Sequence, residues 1–161
     1  MPIKGFKINR QPKKKGKRIE DLFPGLSKLP AVKRIFPSKK LREKVFKEVV
    51  VKVTPRECLY MRVLHGRLLI NPKHLRTEKR EVLYLDLIHE LVHVGQMFKG
   101  KNLYDERYNY FDRPTEVEAY KFCIEEAKKI GMNKKEIVDY LKVEWADDKE
   151  VEEFLKFKTK L

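Results

Sequence analysis

The chain has 161 residues, with 38 Lys and Arg against 24 Asp and Glu, a net charge of +14 and two cysteines. That length suits one domain with its own core and no disulfide staples. No apolar run reaches the roughly 18 residues of a membrane span, and the basic N-terminus lacks the apolar stretch of a secretory signal, so a soluble, cytoplasmic protein is expected. The charged fraction, 39%, is rich in Glu and Lys, as in heat-stable proteins from thermophiles.

The charge is concentrated. Residues 1–56 carry 18 Lys and Arg and four acids, whereas residues 57–161 carry 20 of each sign. Residues 1–18 hold eight basic residues and no acid. Such a segment has little apolar surface with which to offset its ordering entropy, and it reads as a flexible basic arm. It could track the phosphates of a nucleic acid or act only as a solubilising tail. Residues 19–161 are expected to form a single domain.

Pro24, Gly25, Pro30 and Pro37 divide residues 19–37 into short pieces. Ser38 is a good N-cap for a helix over 38–47. Three β-rich runs follow, Glu48–Thr54, Cys58–Leu64 and Arg67–Asn71, which predict a small antiparallel sheet with His65-Gly66 as a tight connection. A long helix is expected over Thr77–Phe98, with Gly100 as its stop. A polar, tyrosine-rich loop spans 99–113, and a helix runs from Pro114 toward Gly131. Asn133-x-x-Glu136 and Asp147-x-x-Glu150 have capping-box spacing and start two shorter C-terminal helices. Tyr140, Trp145, Phe154 and Phe157 sit at core spacing on these. The fold class is α+β.

The chemistry is concentrated in His89-Glu90-Leu91-Val92-His93, an H-E-x-x-H pattern. On a helix, positions i and i+4 share a face, so both imidazoles can reach one ion. Glu90 is offset by one residue and stands where it can take a proton from a metal-activated water. The surrounding helix is apolar almost all round, except for one line made by Asp86, His89, His93 and Gln96. A polar line on a buried helix requires partners, and a metal supplies them.

A catalytic zinc usually takes three protein ligands. His65, His74, Asp112, Glu116 and Glu118 are candidates for the third. Glu116 shares its helix face with Tyr120 and Cys123, beside an apolar stripe. Glu118 lies about 200° away on a charged face and has a second reading as the far end of a Thr115-x-x-Glu118 capping box. Helical phase therefore favours Glu116.

HELVH, separated by 22 residues from the Glu of Glu116-Val117-Glu118-Ala119, resembles the gluzincin metallopeptidases, in particular their small-domain members. The resemblance covers roughly residues 60–130. It implies a zincin-like fold, one Zn2+ held by His89, His93 and Glu116, and Glu90 as general base. Many relatives have Asp or Asn after the Ala, as a partner for a zinc-binding histidine. Here that position is Tyr120, and Asp86 is a candidate replacement. The fold implied is a small antiparallel sheet packed on the central H-E-x-x-H helix, with a C-terminal helical part, and Gly66–Asn71 is a candidate strand for pairing with an extended substrate.

The expected function is zinc-dependent hydrolysis of peptide bonds in a peptide or protein substrate. Tyr104, Tyr108, Tyr110, Arg113 and Tyr120 are candidates to stabilise the oxyanion, and residues 60–72 and 99–113 would shape the pockets. The alternatives are a non-catalytic, zinc-stabilised nucleic-acid-binding protein that uses the basic N-terminal third, and a latent peptidase or one acting on nucleoprotein.

Overall fold

The computed structural model describes residues 3–12, 18–143 and 146–159. In chain order the elements are α1 (Ile19–Leu22), a 3-10 turn at Leu26–Lys28, α2 (Pro30–Ile35), α3 (Lys39–Glu48), β1 (Val50–Val53), β2 (Met61–Leu64), β3 (Arg67–Ile70), α4 (Pro72–Thr77), α5 (Arg80–Phe98), a 3-10 turn at Tyr110–Asp112, α6 (Pro114–Lys129), α7 (Lys134–Leu141) and α8 (Asp148–Lys158). Helix α5 is the axis of the core. Leu83, Leu85, Leu87, Ile88 and Leu91 are fully buried, and the helix packs against α6, α2 and β2. Among the described residues no helix is long and apolar enough to cross a membrane.

The sheet is mixed rather than antiparallel, with strand order β1-β3-β2. β2 and β3 form the expected hairpin, with Met61 opposite Ile70 and Leu64 opposite Arg67. His65 (φ 49°) and Gly66 (φ 74°) both have positive φ, the twist that suits a two-residue hairpin. β1 runs parallel to β3, with Val50 opposite Arg67 and Val53 opposite Ile70. The physical reason lies in residues 54–60. Pro55 and the irregular segment after it carry the chain past the position where a tight hairpin would close, and β3 fills the gap between β1 and β2. β3 is consequently paired on both sides, so Gly66–Asn71 is not an edge. β2 is.

The long helix expected over Thr77–Phe98 forms as α5 and begins three residues later, with a separate short helix, α4, before it. Asn71 caps α4 by accepting from the N–H groups of Lys73 and His74, with Pro72 in the first turn. Glu78 and Lys79 are extended. The far end of α4 is closed from a distance: the Arg10 guanidinium donates to the carbonyls of Leu75 (3.0 Å), Arg76 (3.3 Å) and Glu78 (2.9 Å).

Arg10 belongs to the segment expected to be a flexible arm, and residues 3–12 instead pack onto the domain. Ile3 and Phe6 are buried. Phe6 stacks on Phe23 at 5.9 Å and meets Tyr84 edge-on at 5.1 Å. The Asn9 N–H donates to the Leu22 carbonyl, and Arg80 donates to the carbonyls of Ile3 and Phe6. Two apolar side chains spaced three apart anchor a segment whose charge suggested freedom. The lysine run at 13–17 lies outside the described residues. Phe6→Ala should therefore cost about 3–5 kcal/mol, read as a lower urea midpoint. An unchanged midpoint would return residues 3–12 to the status of a free arm.

α5 and α6 run antiparallel, and the contacts between them set the site. At one end the Tyr84 hydroxyl donates to Glu126 (3.0 Å) and the Cys123 thiol to the Leu85 carbonyl (3.4 Å). Arg34 of α2 also donates to Glu126, at 2.6 Å. At the other end Gln96 donates to the Thr115 carbonyl (2.9 Å). Both C-terminal capping boxes form, at Asn133/Glu136 and Asp147/Glu150. Phe154 is buried against Phe111 at 5.1 Å and Tyr120 at 5.8 Å. Tyr140 is half-buried, whereas Phe157, expected in the core, is 71% exposed. Trp145 lies outside the described residues.

Candidate metal centre

The antiparallel packing of α5 on α6 brings His89, His93 and Glu116 together in a tight buried cluster able to hold one metal ion. His89 Nε2 and His93 Nε2 are 3.0 Å apart. Glu116 Oε2 lies 3.0 Å from His89 Nε2, and Oε1 lies 3.2 Å from His93 Nε2. Glu116 points inward, as its helical phase indicates, because Thr115 to Tyr120 present Glu116, Ala119 and Tyr120 to the core.

The hydrogen bonds fix the tautomer of one histidine. The Gln96 amide N–H2 donates to the Thr115 carbonyl and to Glu118 Oε2 (3.1 Å), so Gln96 Oε1 must be the acceptor facing His93 Nδ1 at 2.7 Å. His93 therefore keeps a proton on Nδ1, and it is Nε2 that must lose its proton for the ring to offer a lone pair to a metal. Lys101 donates to the same Glu118 oxygen at 2.9 Å. Glu118 is exposed, as expected, but the Thr115-x-x-Glu118 capping box does not form: the N-cap of α6 is Arg113. The carboxylate steadies the glutamine that orients His93.

His89 is held differently. Its Nδ1 is buried without a hydrogen-bond partner among the described residues, and the Tyr120 ring packs against the imidazole at 4.4 Å. Asp86 does not reach it. Asp86 Oδ2 pairs with His74 Nε2 at 2.7 Å, and Oδ1 accepts from the Tyr140 hydroxyl at 3.1 Å. That pairing also removes His74 from the candidate ligands. His65 is exposed in the hairpin turn and Asp112 is exposed in a 3-10 turn.

The cluster fits a cation on chemical grounds. Glu116 Oε2 is buried and, although 3.0 Å from His89 Nε2, has no well-aligned hydrogen bond among the described residues, which in the absence of a compensating charge costs about 1–3 kcal/mol. Burial raises the Glu116 pKa, and the two imidazoles more than reverse this, holding the carboxyl well below its usual range. Burial depresses the His93 pKa, but the hydrogen bond and charge of Glu116 carry it up to about 9. Two imidazole nitrogens and one carboxylate are a donor set that suits zinc.

Glu90 is not part of the triad. It stands beside it on the wall of a cleft of about 510 Å³ that His93 and Glu116 also line, a volume in the range of ligand sites. Glu90 Oε2 accepts from the Val63 N–H of edge strand β2 at 2.9 Å, and burial raises its pKa. The Val63 carbonyl accepts from the Tyr104 hydroxyl. One wall of the cleft is residues 55–62 and another is formed by Leu103, Tyr104, Tyr110 and Arg113. Pockets were expected from 60–72 and 99–113. The second range holds, and of the first Tyr60, Met61 and Arg62 line the cleft, whereas β3 lies behind β2 and residues 55–59, assigned in part to a strand, complete the wall.

Of the five oxyanion candidates, Tyr104, Tyr110 and Arg113 face the cleft. Tyr120 is buried behind His89, with its hydroxyl 2.7 Å from that of Tyr110. Tyr108 is 41% exposed and does not line the cleft. The Val63 contacts had no signal in the sequence, because they depend on which strand forms the sheet edge. No family model matches the chain, and neither a curated protein nor a solved structure matches it at a significant level.

Proposed function

We propose that this protein is a zinc-dependent metallopeptidase of gluzincin type. The observation that carries the reading is the buried His89–His93–Glu116 cluster opening onto a cleft whose wall holds a separate carboxylate, Glu90. A structural metal needs no such neighbour and no cleft. His89, His93 and Glu116 would hold one zinc ion, which when bound would polarise the scissile carbonyl and acidify a water. Glu90 Oε2 is committed to the Val63 N–H, which leaves Oε1 to accept the proton of the attacking water and return it to the leaving amine. The raised pKa makes Glu90 a stronger base than an exposed glutamate. Of edge strand β2, Met61 and Arg62 line the cleft, and because the Val63 N–H and carbonyl are taken by Glu90 and Tyr104, pairing with an extended peptide would use the Met61 end of the strand.

The direct test is to incubate the zinc-loaded chain with an unfolded protein mixture and read new termini by mass spectrometry. Cleavage should disappear on chelation and return with zinc. A chain that retains one zinc and cuts nothing would defeat the peptidase reading.

Zinc binding should also depend on pH in a definite sense. Below about 9 the metal-free His93 holds an extra proton, and coordination requires its neutral form. The apparent affinity should therefore rise about tenfold per pH unit up to about pH 9, with close to one proton released at pH 7. Calorimetry in buffers of different ionisation enthalpy measures that proton. Zinc uptake without proton release would contradict the coupling of His93 to Glu116.

A further inference from the structure

Three arginines, Arg56, Arg62 and Arg113, line the cleft outside the metal cluster. Among the described residues, the only other carboxylate on its wall besides Glu90 and Glu116 is Glu57, which is already bridged to Lys52 at 2.8 Å. Arg113 is the most telling. It stands at the start of α6, three residues before Glu116. Among the described residues its Nε is buried with no hydrogen-bond partner and no salt bridge reaches its guanidinium, Asp105 acting on it only at longer range. Its side-chain contact is with the face of Tyr110, at 5.9 Å. Elsewhere in this protein arginines are used: Arg34 on two glutamates, Arg10 on three carbonyls, Arg80 on two. Arg62 lies over the Tyr104 ring at 5.1 Å, and Arg56 is exposed with no ion pair among the described residues. A planar guanidinium with free N–H groups matches a carboxylate in charge and shape. A single oxyanion calls for one donor besides the metal, and three cations exceed that need.

Resting on the peptidase reading above, we propose that the cleft selects substrates bearing a carboxylate next to the scissile bond, with Arg113 as its anchor and Arg56 and Arg62 adding positive field. The carboxylate has two sources, an Asp or Glu side chain or the free C-terminus of a peptide. Arg113 is then a specificity residue for the reaction: no protein carboxylate bridges it directly among the described residues, and the substrate supplies that bridge.

The test uses the full zinc-loaded chain and quenched peptides identical except for Asp/Glu against Asn/Gln beside the cut, each with a free or an amidated C-terminus. Acidic peptides should show a KM lower by about tenfold or more than their neutral counterparts. Dependence on the side chain or on the free terminus identifies the source. Arg113→Gln should abolish the difference by raising KM for the acidic peptides well beyond any change for the neutral ones, and Arg113→Lys should restore part of it. The Arg113 side chain makes no capping bond to α6, so neither change removes a cap. Equal KM values for acidic and neutral peptides, or an equal loss on both in Arg113→Gln, would overturn the proposal.

A second readout does not require turnover. Fluorescence anisotropy with zinc-loaded Glu90→Gln should show the same carboxylate preference in binding, lost again when Arg113→Gln is added. Such binding without any cleavage by the wild-type chain would refute the peptidase reading and leave the anchor standing. Binding that ignores the carboxylate, or no binding of any peptide, would overturn the anchor.

Discussion

Glu90→Gln should keep its zinc and lose turnover by about 10²–10⁴-fold, the usual contribution of a positioned general base. The structure makes glutamine the informative substitution. The carbonyl oxygen of the new amide can still accept from the Val63 N–H, the bond that Glu90 Oε2 makes at 2.9 Å, so β2 and α5 stay in register. What the amide loses is the capacity to take a proton. Since Glu90 is outside the ligand cluster, metal content measured by elemental analysis should match the wild type. KM should change little, because the base acts on the water and not on the bound peptide. A variant that holds zinc and turns over at the wild-type rate would remove Glu90 from the mechanism.

The same residue shows how far the sequence reaches. His89, Glu90 and His93 are legible because helical spacing alone fixes their relative directions, and no distant contact is needed to know that the two imidazoles share a face. Glu116 is legible for a similar reason: its phase on α6 puts it with Tyr120 and Cys123, all buried. The features that escape are those decided by chain segments remote in sequence. Nothing local to residues 1–18 reveals that Arg10 closes α4 or that Arg80 reaches back to Ile3 and Phe6. The order of the strands escapes as well, because the β-rich runs specify pairing partners only through the path of residues 54–60, and with it goes the identity of the edge strand. Asp86 is legible as a polar residue on the correct helix line, but its partners, His74 on α4 and Tyr140 on α7, come from opposite directions along the chain. Gln96 lies on the same line, and its role appears only once α6 supplies Thr115 and Glu118.

That chain of contacts orders the effects expected on zinc affinity. Glu116→Ala leaves only the two imidazoles of the cluster, which should weaken binding by roughly a thousandfold. Gln96→Leu leaves the ligands in place but removes the acceptor from His93 Nδ1, 2.7 Å away, so the ring loses its fixed tautomer and orientation. A loss of about 10–100-fold is expected for an orienting group of this kind. Glu118→Ala acts one step further out. Gln96 keeps its bond to the Thr115 carbonyl at 2.9 Å and loses only the bond to an exposed carboxylate shared with Lys101, so the loss should stay within about tenfold. Competition with a zinc chelator of known affinity measures all three variants on one scale. The ranking discriminates between two geometries. If Glu116 is the third ligand, the effects fall in the order Glu116, Gln96, Glu118. If Glu118→Ala proved the most damaging, the exposed carboxylate would have to swing inward to the metal, and the packing of α6 on α5 that places Glu116 beside His89 would be wrong by about half a turn.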